Sequence, residues 1–177
     1  VAYIGQQFAE LFGKRSIQSI GRIIRAASMI GLLQRVTEAR VSVGGVEIAA
    51  IGRGLLVLVG VERGDGAAQA KRLAERITGY RVFPDDAGKM NRSVVEIGGG
   101  VLLVPQFTLA ADTDSGSRPS LSRGADPTTG ACLFAEVVRE CERFTAHVAA
   151  GRFGAEMQVG LVNDGPVTFW LHVPASR

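Results

Sequence analysis

The chain has 177 residues, 46% of them hydrophobic and 21% charged, which suffices for one domain with a buried core and is too short for a multidomain enzyme. Its longest apolar run, residues 55–59, is far too short to cross a bilayer as a helix. The net charge of +3 sits entirely in residues 1–28, which hold Lys14, Arg15, Arg22 and Arg25 against Glu10; the remaining 16 basic and 16 acidic residues balance, which argues against a broad basic face for nucleic acid.

Residues 1–28 combine helically spaced Ile4, Phe8, Leu11 and Phe12 with basic side chains, the composition of an organelle-targeting presequence. Translated sequence upstream of a start at Met29 reads the same way. Either reading sets 1–28 aside as an extension and leaves 29–177 as one domain. From Met29 strand signals dominate. Residues 30–36 and 39–43 read as two strands, and Gly44-Gly45 turns into a third at 46–51. Residues 55–61 are apolar without alternation, the pattern of a strand buried on both faces. Ala70, Leu73, Ala74 and Ile77 then predict a helix with Lys71, Arg72, Glu75 and Arg76 outside.

Residues 80–83 predict a short strand ended by Pro84 and a turn at 85–88. Further strands are expected at 93–97 and 101–107 around Gly98-Gly99-Gly100, followed by a polar loop over 112–123. Asp126 and Pro127 open a second helix whose inner stripe is Phe134, Val137, Val138, Cys141, Phe144 and Val148, with Gly151 as its stop. Strands at 157–162 and 167–173 close the chain. The pattern predicts one compact α+β domain of seven to nine strands and two helices, with a rolled or barrel-like sheet.

Generic catalytic groupings are scarce. Cys132 and Cys141 lie nine positions apart on one helix, hence on opposite faces, and both are expected to be buried free thiols of a reducing cytosol. A triad of Ser120, His147 and Asp112 lacks a nucleophile elbow, and neither His147 nor His172 has metal-ligand company. Two loops stand out. In Val104-Pro105-Gln106-Phe107-Thr108-Leu109, an extended chain would put Gln106 and Thr108 on one face and Phe107 on the other. That is either a small polar recognition pocket or an ordinary sheet edge. In Asn163-Asp164-Gly165-Pro166-Val167-Thr168, the Gly-Pro bond can be cis, or the segment can be a plain strand connection.

Six ordered motifs carry a resemblance: Gln34-Arg35-Val36, Gly88-Lys89-Met90-Asn91, Gln106-Phe107-Thr108-Leu109, Arg118-Pro119-Ser120, Gly154-Ala155-Glu156-Met157, and Asn163 through Thr168. Over Met29 to the end, the chain resembles the D-aminoacyl-tRNA deacylases, also called D-tyrosyl-tRNA deacylases. The resemblance implies a cytoplasmic homodimer with active sites at the subunit interface, hydrolysing the ester of D-aminoacyl-tRNA or glycyl-tRNA without metal or cofactor. It implies that Gly165 and Pro166 form a cis peptide whose carbonyls accept from the substrate ammonium in the partner's pocket. Arg35 would hold that motif of the opposite subunit. Gln106, Phe107 and Thr108 would shape the catalytic pocket, amides near Phe107 and Thr108 would donate to the oxyanion, and Phe153 and Met157 would wall the terminal adenosine of the tRNA. Thr108 has been read as the nucleophile in this family. No base stands near it in sequence, so attack by water assisted by the ribose 2′-hydroxyl fits this chain better.

One departure is Pro105, where the family motif has Ser; it removes an amide hydrogen beside the Gln106-Phe107-Thr108 motif. A related animal deacylase has Pro there too, but a small residue in place of Phe107. The loop before Arg118 carries Asp114-Ser115-Gly116 where the family often has lysines. Two other classes stay in view, a DNA-binding protein of replication and a structural dimer weakened catalytically by Pro105.

Overall fold

The computed structural model describes residues 28–114 and 116–174, so the expectations for residues 1–27 lie outside the described residues. Among the described residues eight strands and two helices form one unit. Strand β1 (Ser28–Val43), β2 (Val46–Ile51) and β3 (Gly54–Gly60) are followed by helix α1 (Ala67–Gly79) and a small ribbon of β4 (Phe83–Pro84) and β5 (Met90–Arg92). Then come β6 (Gly100–Pro105), a 3-10 turn at Phe107–Ala110, helix α2 (Pro127–Glu142), β7 (Val148–Ala150) and β8 (Gln158–Pro174).

The main sheet runs β2-β1-β3-β6-β7, with β8 on the other side of β1. The two strands expected at 30–36 and 39–43 are one strand that changes partner. Its first half pairs antiparallel with β3 and its second half with β2, while β8 follows almost its whole length. The change of partner bends the strand and breaks its alternation, and that break reads as a strand boundary in the sequence. Gly44 and Gly45 take φ of 57° and 80°, as a two-residue hairpin turn requires. Strands β3, β6 and β7 are parallel neighbours, joined through segments that carry the two helices.

Both faces of β3 are buried, as its unbroken apolar run predicts. Leu55, Val57 and Val59 face one core with Val101 and Leu103 of β6, against Leu73 and Ile77 of α1 and Phe134 and Val137 of α2. Leu56 faces a second core with Leu102, Val104, Val36, Ala39 and Val41, closed by Met157, Val159 and Leu161. This second core is the inside of the nearly closed barrel, so β3 and β6 serve as the wall between helices and barrel interior.

Further expectations need correction. The strand expected at 80–83 is only Phe83–Pro84, with Pro84 inside it, and those expected at 157–162 and 167–173 are the single strand β8. Residues 93–97 form a helical turn, because Ser93 N–H donates to Glu96 Oε2 (2.6 Å) and Glu96 N–H to Ser93 Oγ (3.3 Å), a reciprocal cap that outweighs the strand preference of Val94-Val95. Helix α2 stops at Glu142 rather than Gly151. Beyond it Phe144 is 44% exposed, and Val148–Ala150 joins the sheet, where β6 offers unpaired backbone. Cys132 is exposed; only Cys141 is buried, its thiol pushed up to about 12 chiefly by burial, then by Glu142 and Glu140. The N-terminal cap of α2 is as expected, with Asp126 Oδ1 accepting from Thr128 N–H (3.1 Å) and Thr129 N–H (3.0 Å).

At the start of α1 a pair of acids is partly withdrawn from water. Glu62 Oε2 accepts from Ser28 N–H (2.8 Å), and Asp65 Oδ2 accepts from Glu62 N–H (2.8 Å). Burial first, and the charge of Glu62 next among the raising influences, push Asp65 up to about 6 from 3.8. The native state therefore holds a proton that the unfolded chain has released between those values, so this group's contribution to stability falls as pH rises from 3.8 to about 6. Asp65→Asn keeps an acceptor for Glu62 N–H and removes the charge. Thermal melts should show the variant more stable than the parent at about pH 7.5, with the difference vanishing near pH 4.

Candidate functional site

Strand β6 delivers the first cluster. Val101 N–H donates to His147 O on the β7 side and Gln106 N–H to Val59 O on the β3 side, 2.8 Å each. Pro105 shares the parity of Val101, so its missing donor would point toward β7, which ends at Ala150. Gly151 N–H still donates to Leu103 O (2.8 Å), and the next bond of this ladder is the one Pro105 cannot make, so the proline ends the pairing at the rim of the sheet.

After Gln106 the chain does not stay extended. Leu109 N–H donates to Gln106 O (3.2 Å), folding Phe107–Ala110 into the 3-10 turn. The turn lies over Gly60, where a Cβ would come within 2.9 Å of Leu109 Cβ, so the glycine that ends β3 admits it. The alternation expected for this segment is thus replaced by a turn, yet Gln106 and Thr108 still meet: Gln106 Nε2 donates to Thr108 Oγ1 at 2.5 Å. With its oxygen engaged as acceptor, the Thr108 hydroxyl has its proton available to give. Phe107 is 58% exposed beside them. Phe107 and Thr108 open the turn, so their amides have no acceptor within it.

Beneath this turn lies a cavity of about 470 Å³. Pro105, Gln106 and Phe107 form one wall, Phe153 and Met157 another, and Pro127 at the start of α2 closes an end. Two glycines make seats for its apolar walls. A Cβ on Gly130, in the first turns of α2, would come within 3.2 Å of Phe153 Cζ, and one on Gly151 within 2.9 Å of Met157 Sδ. Neither glycine is singled out for the site by the sequence reading. Gly130 inside a strong helical pattern is the signal that could have found it.

The second cluster sits in the middle of β8. Gly165-Pro166 is cis, Gly165 has φ of 124°, and both residues are exposed. Opposite them Arg35 is nearly buried, with 12% of its side chain exposed. Its Nη1 donates to Val82 O (2.5 Å), and its Nε meets Asp164 O (3.2 Å) and Asp164 Oδ2 (3.0 Å). In the single chain Arg35 therefore anchors the loop of its own subunit. None of Arg35, Gly165 and Pro166 lines the cavity, so one chain carries two separate halves of the expected site. Asp164, Asn163 and Thr168 are contributors that the sequence reading quotes in the motif but gives no role.

The remaining candidates do not converge. Ser120 bridges to Asp112 by backbone bonds, its Oγ pairs with Ser122 Oγ (3.1 Å), and Asp112 is tied to Arg123 (2.6 Å). His147 lines a different groove with Arg53 at the opposite end of β6. His172 Nδ1 meets Ser28 Oγ (3.1 Å). Among the described residues no group of three or more His, Cys, Asp or Glu side chains could hold a metal ion, and no helix is long and apolar enough to cross a membrane.

The sequence profile of the D-Tyr-tRNA(Tyr) deacylase family matches residues 32–172, which spans both clusters. The chain belongs to this family. Similar relatives of the family include the D-aminoacyl-tRNA deacylase of Methylococcus capsulatus, 60% identical over 149 residues, covering 84% of this chain and 97% of that protein. The D-aminoacyl-tRNA deacylase of Escherichia coli O1:K1 / APEC is 55% identical over 145 residues, covering 82% of this chain and all of that one. Among solved structures, one described as c-Myc DNA Unwinding Element Binding Protein superposes with a TM-score of 0.79 at 35% identity, over 82% of this chain and 99% of that one. A probable eukaryotic D-amino acid tRNA deacylase shares the fold at TM-score 0.71 and 16% identity.

Proposed function

We propose that this chain hydrolyses the ester joining a D-amino acid, or glycine, to the 3′ end of tRNA, as a cytoplasmic homodimer in which each Gly165-Pro166 loop completes the partner's cavity. The observation that carries the reading is an apolar cavity lined by Gln106 and Phe107, at the head of the turn that carries Thr108, in a chain of the deacylase family. The flat base of the terminal adenosine lies between Phe153 and Met157. The ester then reaches the turn, where the amides of Phe107 and Thr108 donate to the oxygen on which negative charge develops. Gly165 and Pro166 carbonyls from the partner take the substrate ammonium and leave no space for an L side chain.

The dimer has support in the sheet. Among the described residues strand β8 pairs with β1 alone and its other edge has no partner, and Val162 and Trp170 stand 51% and 46% exposed on either side of the loop. The neutral balance of charge in 29–177 favours recognition by a local pocket over broad attraction to a polyanion, which speaks against the DNA-binding reading. Pro105 is the last residue of β6 and keeps its register with Val59 of β3, which speaks against a fold-level loss of activity. Release of tyrosine from tRNA charged with D- or L-tyrosine tests the proposal: a strong preference for D supports it, and equal rates or no release from either overturn it. Sedimentation at micromolar concentration should give twice the chain mass.

The chemistry is carried by water, helped by the ribose 2′-hydroxyl, with Thr108 as a donor. Thr108→Ala should therefore slow D-tyrosine release by about tenfold, the loss of one hydrogen bond near the reacting atoms. Removal of a true nucleophile would cost several further orders of magnitude. An acyl-enzyme on Thr108 trapped by acid quench and mass spectrometry would overturn this assignment.

A further inference from the structure

The loop at residues 163–168 is a wide bulge in the β1–β8 ladder. Gln34 pairs with Thr168 and Val36 with Asn163, so four residues of β8, 164–167, stand opposite the single residue Arg35. Over that stretch the ladder to β1 is interrupted. What closes the bulge is a side chain: Asn163 Oδ1 accepts from Val167 N–H at 2.9 Å, and Asn163 Nδ2 donates to Thr168 Oγ1 at 2.9 Å. The Val167 N–H can only donate, so it fixes which end of the Asn163 amide faces it, and the amide nitrogen falls to Thr168. Arg35 holds the inner side of the same loop through Asp164.

We propose that Asn163 and Thr168 form a clamp that sets the stereochemical discrimination of the enzyme, as positioning residues that act through the Gly165 and Pro166 carbonyls. This rests on the reading that the loop excludes L side chains. An obstacle excludes only if it does not yield. A D substrate directs its side chain away from the loop and meets it only through the ammonium, whereas an L substrate gains entry once the loop can be pushed aside. Loosening the clamp therefore raises the rate on L-aminoacyl-tRNA, while the rate on the D form falls only as far as its ammonium contact weakens. A residue needed only for folding would lower both together.

The test compares kcat/KM on D- and L-tyrosyl-tRNA for four proteins, each with its thermal melt. Asn163→Leu removes both bonds at nearly constant size and should lower the D/L ratio by about thirtyfold, with Thr168→Val at about fivefold. Asn163→Asp keeps the acceptor for Val167 N–H and can accept the Thr168 hydroxyl proton, so it should retain the parent ratio. Thr168→Val and Asn163→Asp decide the matter even where Asn163→Leu does not fold. An unchanged ratio in folded Thr168→Val, or an equal fall on both substrates, overturns the clamp while the D-specific activity of the parent stands. A parent without D preference removes the functional reading itself, and the clamp with it.

Discussion

Gly165→Ala should lower D-aminoacyl-tRNA deacylation by at least about a hundredfold while leaving a folded protein, because it displaces a positioning loop by a fraction of a bond length or more. The backbone at Gly165 has φ of 124°, where an L side chain is strained by about 1–3 kcal/mol. The added Cβ would also come within 2.8 Å of Val167 Cγ2, 2.9 Å of Arg35 Nη2 and 3.2 Å of Val167 N. Neither neighbour can give freely, since the Arg35 side chain is held by Val82 and Asp164, and Val167 N–H is held by Asn163. The loop must move instead. It is exposed, so the melting temperature should fall by only a few degrees. Full activity in the variant would place the loop outside the site.

Arg35→Met carries the second large effect, on stability as well as rate. The guanidinium joins Val82 O, Asp164 O and Asp164 Oδ2 from a position 12% exposed. Methionine keeps much of the volume, but leaves two carbonyls and a carboxylate without their donor. Asp164 remains 38% exposed and can turn partly to water, which holds the cost to about 2–3 kcal/mol rather than the larger value of a fully buried pair. Denaturant unfolding should show that loss, and kcat/KM on D-tyrosyl-tRNA should fall at least tenfold. Arg35→Lys should rescue little, since one ammonium cannot span both Val82 O and Asp164 as the planar fork does. Lost stability with unchanged kcat/KM would mean that Arg35 supports the fold without setting the loop.

Much of the fold is legible in the residues where the local pattern and the tertiary contacts agree. The unbroken apolar run of β3 announces a wall buried on both sides, and Ala70, Leu73, Ala74 and Ile77 announce the inner face of α1, all fully buried. The misreadings come from conflicts between local signals. Val94-Val95 looks extended until Ser93 and Glu96 are read as a reciprocal cap. Phe144 and Val148 continue the helical period of α2, although the chain has already left for the sheet. In the site, the grouping of Gln106, Phe107 and Thr108 is legible, but its geometry is not, because the turn depends on Gly60 at the end of a strand far away in sequence. The seat that Gly130 provides for Phe153 is long-range in the same way, whereas Gly151 lies close to Met157 in sequence but carries no local sign that it seats it. The family resemblance names Phe153 and Met157, and the contacts explain why they can stand there.

The bulge in β8 also bears on how such a loop can change over generations. Most recognition loops hang from the tips of hairpins, where residues are gained or lost at little cost. This one interrupts a single strand, with paired backbone immediately on both sides at Asn163 and Thr168. One residue more or fewer, if passed into the paired strand, would turn over the side chains of one arm, carrying Val159 and Leu161 out of the barrel or Leu171 and Val173 out of the helix-facing core. The ends of the loop are thus locked by the sheet, and any change of length must be taken up between Asn163 and Thr168, against the Arg35 and Asn163 contacts that hold the loop.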